Sequence, residues 1–261
     1  MDSPTVAPPV KINRWLPYWA VFQADVRQTM QSWVYRTWVF VSVLVSVGYS
    51  LYRYGAEHEA GILQSASSFV SDLLRWTVLG SVTLIIVLTA GSISSERGSM
   101  ADSVLSRGIS RHQYFLGKLH ARLVTVLVTF FVLGTAALVS SHFLLHEDLS
   151  LTGSVAAMLM VAALLGVVSS CGVTVSAMTN STVVGIAALW VVVYRSGIVL
   201  SFLPSLQYRT PPSPTWLLHV LPNVLHGQFN WHTVGRLVGW SALTSGLAAL
   251  VGMVYFSRRD V

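Results

Sequence analysis

Long apolar runs separated by short polar breaks dominate the chain. Six runs, at 34–51, 74–94, 123–145, 151–178, 183–203 and 237–256, contain almost no charge. About 20 apolar residues make an α-helix that crosses a ~30 Å hydrocarbon core. The pattern therefore predicts an all-α polytopic membrane protein with six transmembrane helices. Ahead of the first run the period changes. Ile12, Trp15, Leu16, Trp19, Phe22, Val26 and Met30 recur every three or four residues, which is one face of a helix. Lys11, Arg14, Arg27 and Gln31 fall elsewhere, and Pro17 either opens the helix or bends it. An apolar, Trp-rich stripe with basic flanks suits an amphipathic helix lying in the membrane surface. The expected division is a leader and interfacial helix over 1–33, then a single six-helix domain over 34–261.

Composition agrees with this reading. Hydrophobic residues make up 53% of the chain and charged residues 10%. The mean hydropathy of +0.63 is far above that of soluble domains. Cys171 stands alone, so no intrachain disulfide can form. The first residues lack an apolar core and a small-residue cleavage site, so no cleavable signal peptide is expected. Trp33, Trp38, Tyr52, Tyr54, Trp76 and Tyr255 sit at run ends, where amphipathic rings favour the headgroup region. With the N-terminus inside, 11 of the 16 Lys and Arg residues fall in cytoplasmic segments. That bias places both termini in the cytoplasm of a multi-pass protein, in a bacterial inner or plasma membrane. The segment 204–231, with five of the nine prolines, is too long for a tight turn and too apolar for a solvated loop. It is expected to form short helices that re-enter or line the outer leaflet.

Catalytic signatures are absent. The chain has no His-Glu-x-x-His and no Gly-x-Ser-x-Gly, and Gly117–Lys118 lacks the flanking residues of a phosphate loop. His142 and His146, beside Glu147 and Asp148, have a spacing that metals use, but at a helix end they read as a solvated cap. Neither metal nor another cofactor is expected on this chain, nor a nucleic-acid partner, and the chain is not read as an enzyme. Arg195, in an apolar run, lies ~20 Å across the bilayer from residue 182. A charge there faces the bundle interior, a partner or water. It is either a substrate contact, with Tyr194, Ser169 and Ser170 along the same path, or a packing arginine paired with Asp72 or Glu147. The small residues from Gly166 to Met178 fit close helix packing or a subunit interface.

Charge concentrates in Gly91–Leu123, with five basic and two acidic residues. Met100, Val104 and Leu105 make a short apolar ridge, Gly108 allows a turn, and Ser110 can cap a second helix. Tyr114, Phe115 and Leu116 of that helix are expected to point to the membrane interface. Glu96, Arg97, Gly98, Leu105, Ser106, Ser110, Arg111, Gly117 and Lys118 match the cytoplasmic loop of type 2 ABC transporter permeases, which this segment resembles. Ser99–Met100 stands where that family has Thr-Leu, and Gly108 where it has proline.

The resemblance implies half of a permease dimer, with an identical or paralogous second subunit. It implies two separate cytoplasmic ATPase subunits that carry ATP and Mg. A coupling helix between spans two and three would involve Glu96, Arg97, Gly98, Met100, Asp102, Val104, Leu105, Ser110 and Arg111. Export by alternating access is the expected activity, with membrane lipids around the subunit. The competing expectation is a membrane scaffold or maturation factor that binds an extracytoplasmic partner through 204–231.

Overall fold

A computed structural model of the chain describes residues 15–60, 66–96, 109–144, 150–201 and 214–258. Among them the secondary structure is entirely helical. The α-helices are α1 (Leu16–Gln31), α2 (Trp33–Ala60), α3 (Ala66–Ala90), α4 (Arg111–Leu144), α5 (Leu151–Met178), α6 (Thr182–Ser201), α7 (Pro214–Leu225) and α8 (Trp231–Arg258). A 3₁₀ turn, Ser94–Glu96, follows α3. Among the described residues four helices are long and apolar enough to cross a membrane: Trp33–Tyr52, Arg111–Ser140, Leu151–Met178 and Trp231–Arg258. Gly80–Glu96 and Thr182–Arg195 are shorter apolar helices in the positions of the second and fifth predicted spans.

α5 is the central post. Its apolar residues run all round, as expected for a helix surrounded by others, and most of its length is buried. Ser150 caps it by accepting a hydrogen bond from the Gly153 N–H. Packing in hydrocarbon gains little from hiding apolar side chains, because lipid tails are equally apolar. Close approach and hydrogen bonds between helices matter more. At Gly172 a side chain would collide with Thr89 of α3, so this contact is reserved for glycine. The Thr174 hydroxyl donates to the Ala248 carbonyl of α8 at 2.8 Å. Tyr35 of α2 meets Thr129 of α4, and Thr83 of α3 meets Tyr194 of α6, each at 2.9 Å. Such bonds contribute about 0.6 kcal/mol each in membrane bundles.

Several details depart from the expected pattern. Trp38 is not an interfacial ring. It is buried, and its indole N–H donates to Ser81 of α3 at 2.8 Å. Trp33 and Tyr52, in contrast, are exposed. The helix capped by Ser110 does not end before the third span; both form one 34-residue helix, α4. Nothing after Gly117 breaks the helical path, since Lys, Leu, His, Ala and Arg all propagate a helix. Tyr114 and Phe115 point into protein, not toward the membrane interface. They form a second core with Val21, Ile93, Leu119, Val173, Ala177 and Phe256. The Tyr114 and Phe256 rings stack at 5.9 Å.

Pro17 opens α1 rather than bending it. α1 buries Val21, Asp25 and Thr29, one row at i, i+4 and i+8, against α4. Its Trp15, Leu16, Trp19 and Met30 stay exposed. The close approach occurs at Gly117, where an added Cβ would stand 2.9 Å from Val21 Cγ1. Of the segment 204–231, α7 is a helix whose Leu217, Leu221, Val224 and Leu225 are fully or almost fully buried in the main core with α3 and α5. Gly117→Leu is expected to push α1 off α4 and cost about 1–3 kcal/mol, the usual range for overpacking. A lowered thermal midpoint, with faster proteolysis at the exposed Arg27, is the readout.

Candidate functional site

The end of the bundle where α3 finishes and α4 begins holds a cluster of charges out of water. Asp25, Lys118 and Arg122 are 2%, 3% and 6% exposed. They come from two helices, α1 and α4, brought together at Gly117. Lys118 and Arg122 are one turn apart and so share a face. Lys118 Nζ donates to Asp25 Oδ1 at 3.0 Å, to Glu96 Oε1 at 2.7 Å and to the Ser92 carbonyl at 2.9 Å. Those three bonds use every proton of the ammonium group. Arg122 Nη2 donates to Asp25 Oδ1 at 3.3 Å, and Nη1 donates to the Leu88 carbonyl at 3.2 Å. Arg122 Nε lies 2.9 Å from Asp25 Oδ2 as an ion pair, without the alignment of a directed hydrogen bond. Two cations face two carboxylates, and the cluster is neutral.

Glu96 is the member nearest water, with its side chain 14% exposed. The Tyr114 hydroxyl donates to its Oε2 at 2.8 Å. Burial alone would raise the Glu96 pKa. The charge of Lys118 and hydrogen bonds from Lys118, Tyr114 and Gln28 outweigh burial and hold it below the usual value. Lys118 also lies 5.5 Å from the centre of the Tyr114 ring.

The backbone around Glu96 is fastened as well. Ser176 Oγ of α5 accepts hydrogen bonds from the Ile93 and Ser94 N–H groups at 2.9 and 3.0 Å. The Ser94 hydroxyl meets Thr182 Oγ1 of α6 at 2.8 Å. On the returning side, Ser110 caps α4 as expected. The Gln113 N–H donates to Ser110 Oγ, and the Ser110 N–H donates to Gln113 Oε1. That reciprocal pair is a capping box with glutamine at its third position. Arg111 Nη1 reaches the Ser257 carbonyl near the end of α8 at 3.4 Å. Both stems of the segment 97–108 are thus tied to the bundle.

The expected site residues divide in three. Glu96, Ser110 and Arg111 lie at these stems. Arg97, Gly98, Met100, Asp102, Val104 and Leu105 lie outside the described residues. Arg195, Tyr194, Ser169 and Ser170 are elsewhere. Arg195 is exposed on α6 and makes no ion pair among the described residues, so the expected pairing with Asp72 is not formed. The Tyr49 hydroxyl donates to Asp72 at 2.9 Å instead. Glu147 lies outside the described residues. Tyr194 bonds Thr83 and packs on Trp190 with tilted rings, centroids 4.8 Å apart. Ser169 and Ser170 are buried inside α5 packing, and their hydroxyls have no partner among the described residues. Among the described residues no group of three or more His, Cys, Asp or Glu is placed to hold a metal ion.

The missed residues are Asp25 and the burial of Lys118 and Arg122. A signal was present: Asp25 shares a row with Val21 and Thr29, and Lys118 and Arg122 share one with Phe115 and Leu119. No family model matches the chain, and no curated protein matches it.

Removing one partner of a buried ion pair strands the others. Asp25→Ala is expected to cost about 3–5 kcal/mol, read as a fall in thermal midpoint in detergent, whereas Glu96→Gln, at a site water reaches, costs distinctly less. Because the folded-state pKa of Glu96 is depressed, its contribution is complete above the unfolded value of about 4.3 and fades as pH falls through the lower folded value. Acid titration of the wild type should therefore show a loss of stability below about pH 4.3 that Glu96→Gln reduces.

Proposed function

We propose that this chain is the permease subunit of an ABC transporter of the type 2 (ABC-2) class, exporting its substrate by alternating access. The observation that carries this reading is the double anchorage of the segment 97–108. Its outgoing stem is held by Glu96, Lys118 and Ser176, and its returning stem, at a helix start that Ser110 caps, by Arg111. A push delivered between two such stems would reach α3 and α4 together. That is the mechanical need of a coupling helix pushed by a separate ATPase, and it agrees with the sequence resemblance of the same segment.

In this reading six helices span the membrane, with the stems and both chain ends in the cytoplasm. α1 lies along the inner surface, its Trp15, Trp19 and Met30 in the headgroup layer. Two ATPase subunits supply ATP binding and hydrolysis, and their closure shifts the permease between inward- and outward-facing packings. A second permease copy or paralogue covers part of the exposed apolar surface. Arg195 supports that last point. It sits on an exposed apolar face of α6 with Val184 and Val191, and a charge at membrane depth is tolerated against protein or water rather than lipid. The scaffold reading draws less support, because α7 turns its apolar face into the core instead of offering it to a partner.

Three experiments test the proposal. In a Cys171→Ser background, His112→Cys should react with a membrane-impermeant maleimide only from the cytoplasmic side; labelling from outside ends the reading. Cross-linked complexes from the native membrane should contain a soluble ATPase. Met100→Asp combined with Leu105→Asp should cut substrate-stimulated ATP hydrolysis at least tenfold with an unchanged thermal midpoint. Retained stimulation would count against the coupling role.

A further inference from the structure

At the end of the bundle away from the charge cluster, α5, α7 and α8 enclose a cleft of about 240 Å³. Its floor is apolar: Met160, Val224, Val234 and Leu237 are all buried. Its rim is polar but uncharged, formed by Gln228, Asn230 and Thr233, which are exposed. Among the described residues no ionisable side chain lines it.

The rim is built on helix termini and is rigid. α7 ends in a turn with Gly227 at φ +82°, a conformation that favours glycine. There the Gly227 N–H donates to the Val224 carbonyl and the Gln228 N–H to the Asn223 carbonyl, each at 2.9 Å. Asn230 caps α8, its Oδ1 accepting from the His232 N–H at 2.9 Å. That bond occupies the amide oxygen and leaves the amide N–H₂ to donate. The Ser150 N–H at the start of α5 donates to the Leu225 carbonyl at 3.2 Å, which joins the third wall. Phe229 and Trp231 meet edge-to-face at 5.1 Å beside the rim, and Trp231 is exposed. Aromatic rings of this kind mark the headgroup level.

We propose that this cleft holds one acyl chain of a membrane glycerolipid, with the chain on the apolar floor and its ester carbonyl accepting hydrogen bonds from the Asn230 and Gln228 amides. Three features select this occupant. The floor offers an acyl chain dispersion contacts and no polar group. The rim offers donors without charge, which match an ester carbonyl rather than a phosphate or a carboxylate. The volume of about 240 Å³ takes the ester-proximal part of one chain and leaves no room for a second. The proposal needs only the membrane placement of the bundle, and it stands whether or not an ATPase partners the chain.

The test uses the full chain in nanodiscs containing a trace of phosphatidylcholine with a diazirine in the ester-proximal half of one acyl chain. After irradiation, adducts are mapped by peptide mass spectrometry. Cleft residues of α5, α7 and α8 are expected to carry at least fivefold more adduct per residue than the exposed face of α2 around Phe40 and Leu44, which samples bulk lipid. Thr233→Trp, a rim change at an exposed position, should reduce cleft adducts at least fivefold and leave those on α2 unchanged. An ether-linked lipid without the carbonyl should compete at least threefold less well than its ester counterpart. Equal labelling of cleft and α2, or insensitivity to Thr233→Trp, overturns the site. Equal competition by the ether lipid overturns the assignment of the ester to the amides.

Discussion

Lys118 and Arg122 enter α4 one turn apart and buried, and each needs hydrogen-bond partners there. The arrangement at this end of the molecule follows from that constraint. One carboxylate, Asp25, answers both cations, so α1 has to present Asp25 inward and lie at Gly117, where the chain leaves room for Val21. Such a cluster is weak evidence of net stability, since apolar residues of equal volume often serve as well. Its contribution is to fix position. A one-residue slip of α1 would rotate Asp25 by about 100° and leave two buried cations without a carboxylate. The same constraint sets the exposed side of α1. Trp19 and Met30 lie roughly a third of a turn from Asp25, so α1 touches α4 with one side and leaves the adjacent apolar side exposed.

Away from the cluster the bundle is specified by smaller terms. Burial of Ile85, Ile86 or Leu165 against other helices gains little over burial in lipid. Close packing at Gly172 and hydroxyl bonds such as Trp38–Ser81 and Thr174–Ala248 distinguish one helix arrangement from another. Each is individually modest, and they are spread over α2, α3, α5 and α8. The charge cluster concentrates a much larger penalty for misplacement at one end. The bundle is therefore most tightly specified near the stems of 97–108.

Periodicity and length made the helices legible, and the Ser110 cap and the start of α1 at Pro17 were local signals with local outcomes. What could not be read was pairing at a distance. Asp25 and Lys118 are 93 positions apart, and no spacing rule links them. Charge was also misleading. Lys118 and Arg122 look like solvated loop residues by type, and that reading divided α4 into a loop helix and a span. Their partners make burial possible, and helix-forming residues between them carry α4 straight through. Trp38 erred the same way: an amphipathic ring at a run end is interfacial unless a hydroxyl on a neighbouring helix satisfies its N–H, as Ser81 does.

The cluster also limits how this end of the molecule moves. Glu96 closes α3's end onto Lys118, Gln28 of α1 reaches the same carboxylate, and Ser176 holds the turn to α5. Separating α3 from α4 would bare charges that are now mutually satisfied, so displacement of the 97–108 stems carries α1, α3 and α4 together as one body. Packed interfaces switch between discrete arrangements rather than deforming smoothly. A displacement of the stems would therefore be carried along α4, with α1 held to it at Asp25 and Gly117. Local flexing of the stems would absorb such a displacement, and the burial of Lys118 and Asp25 is what prevents it.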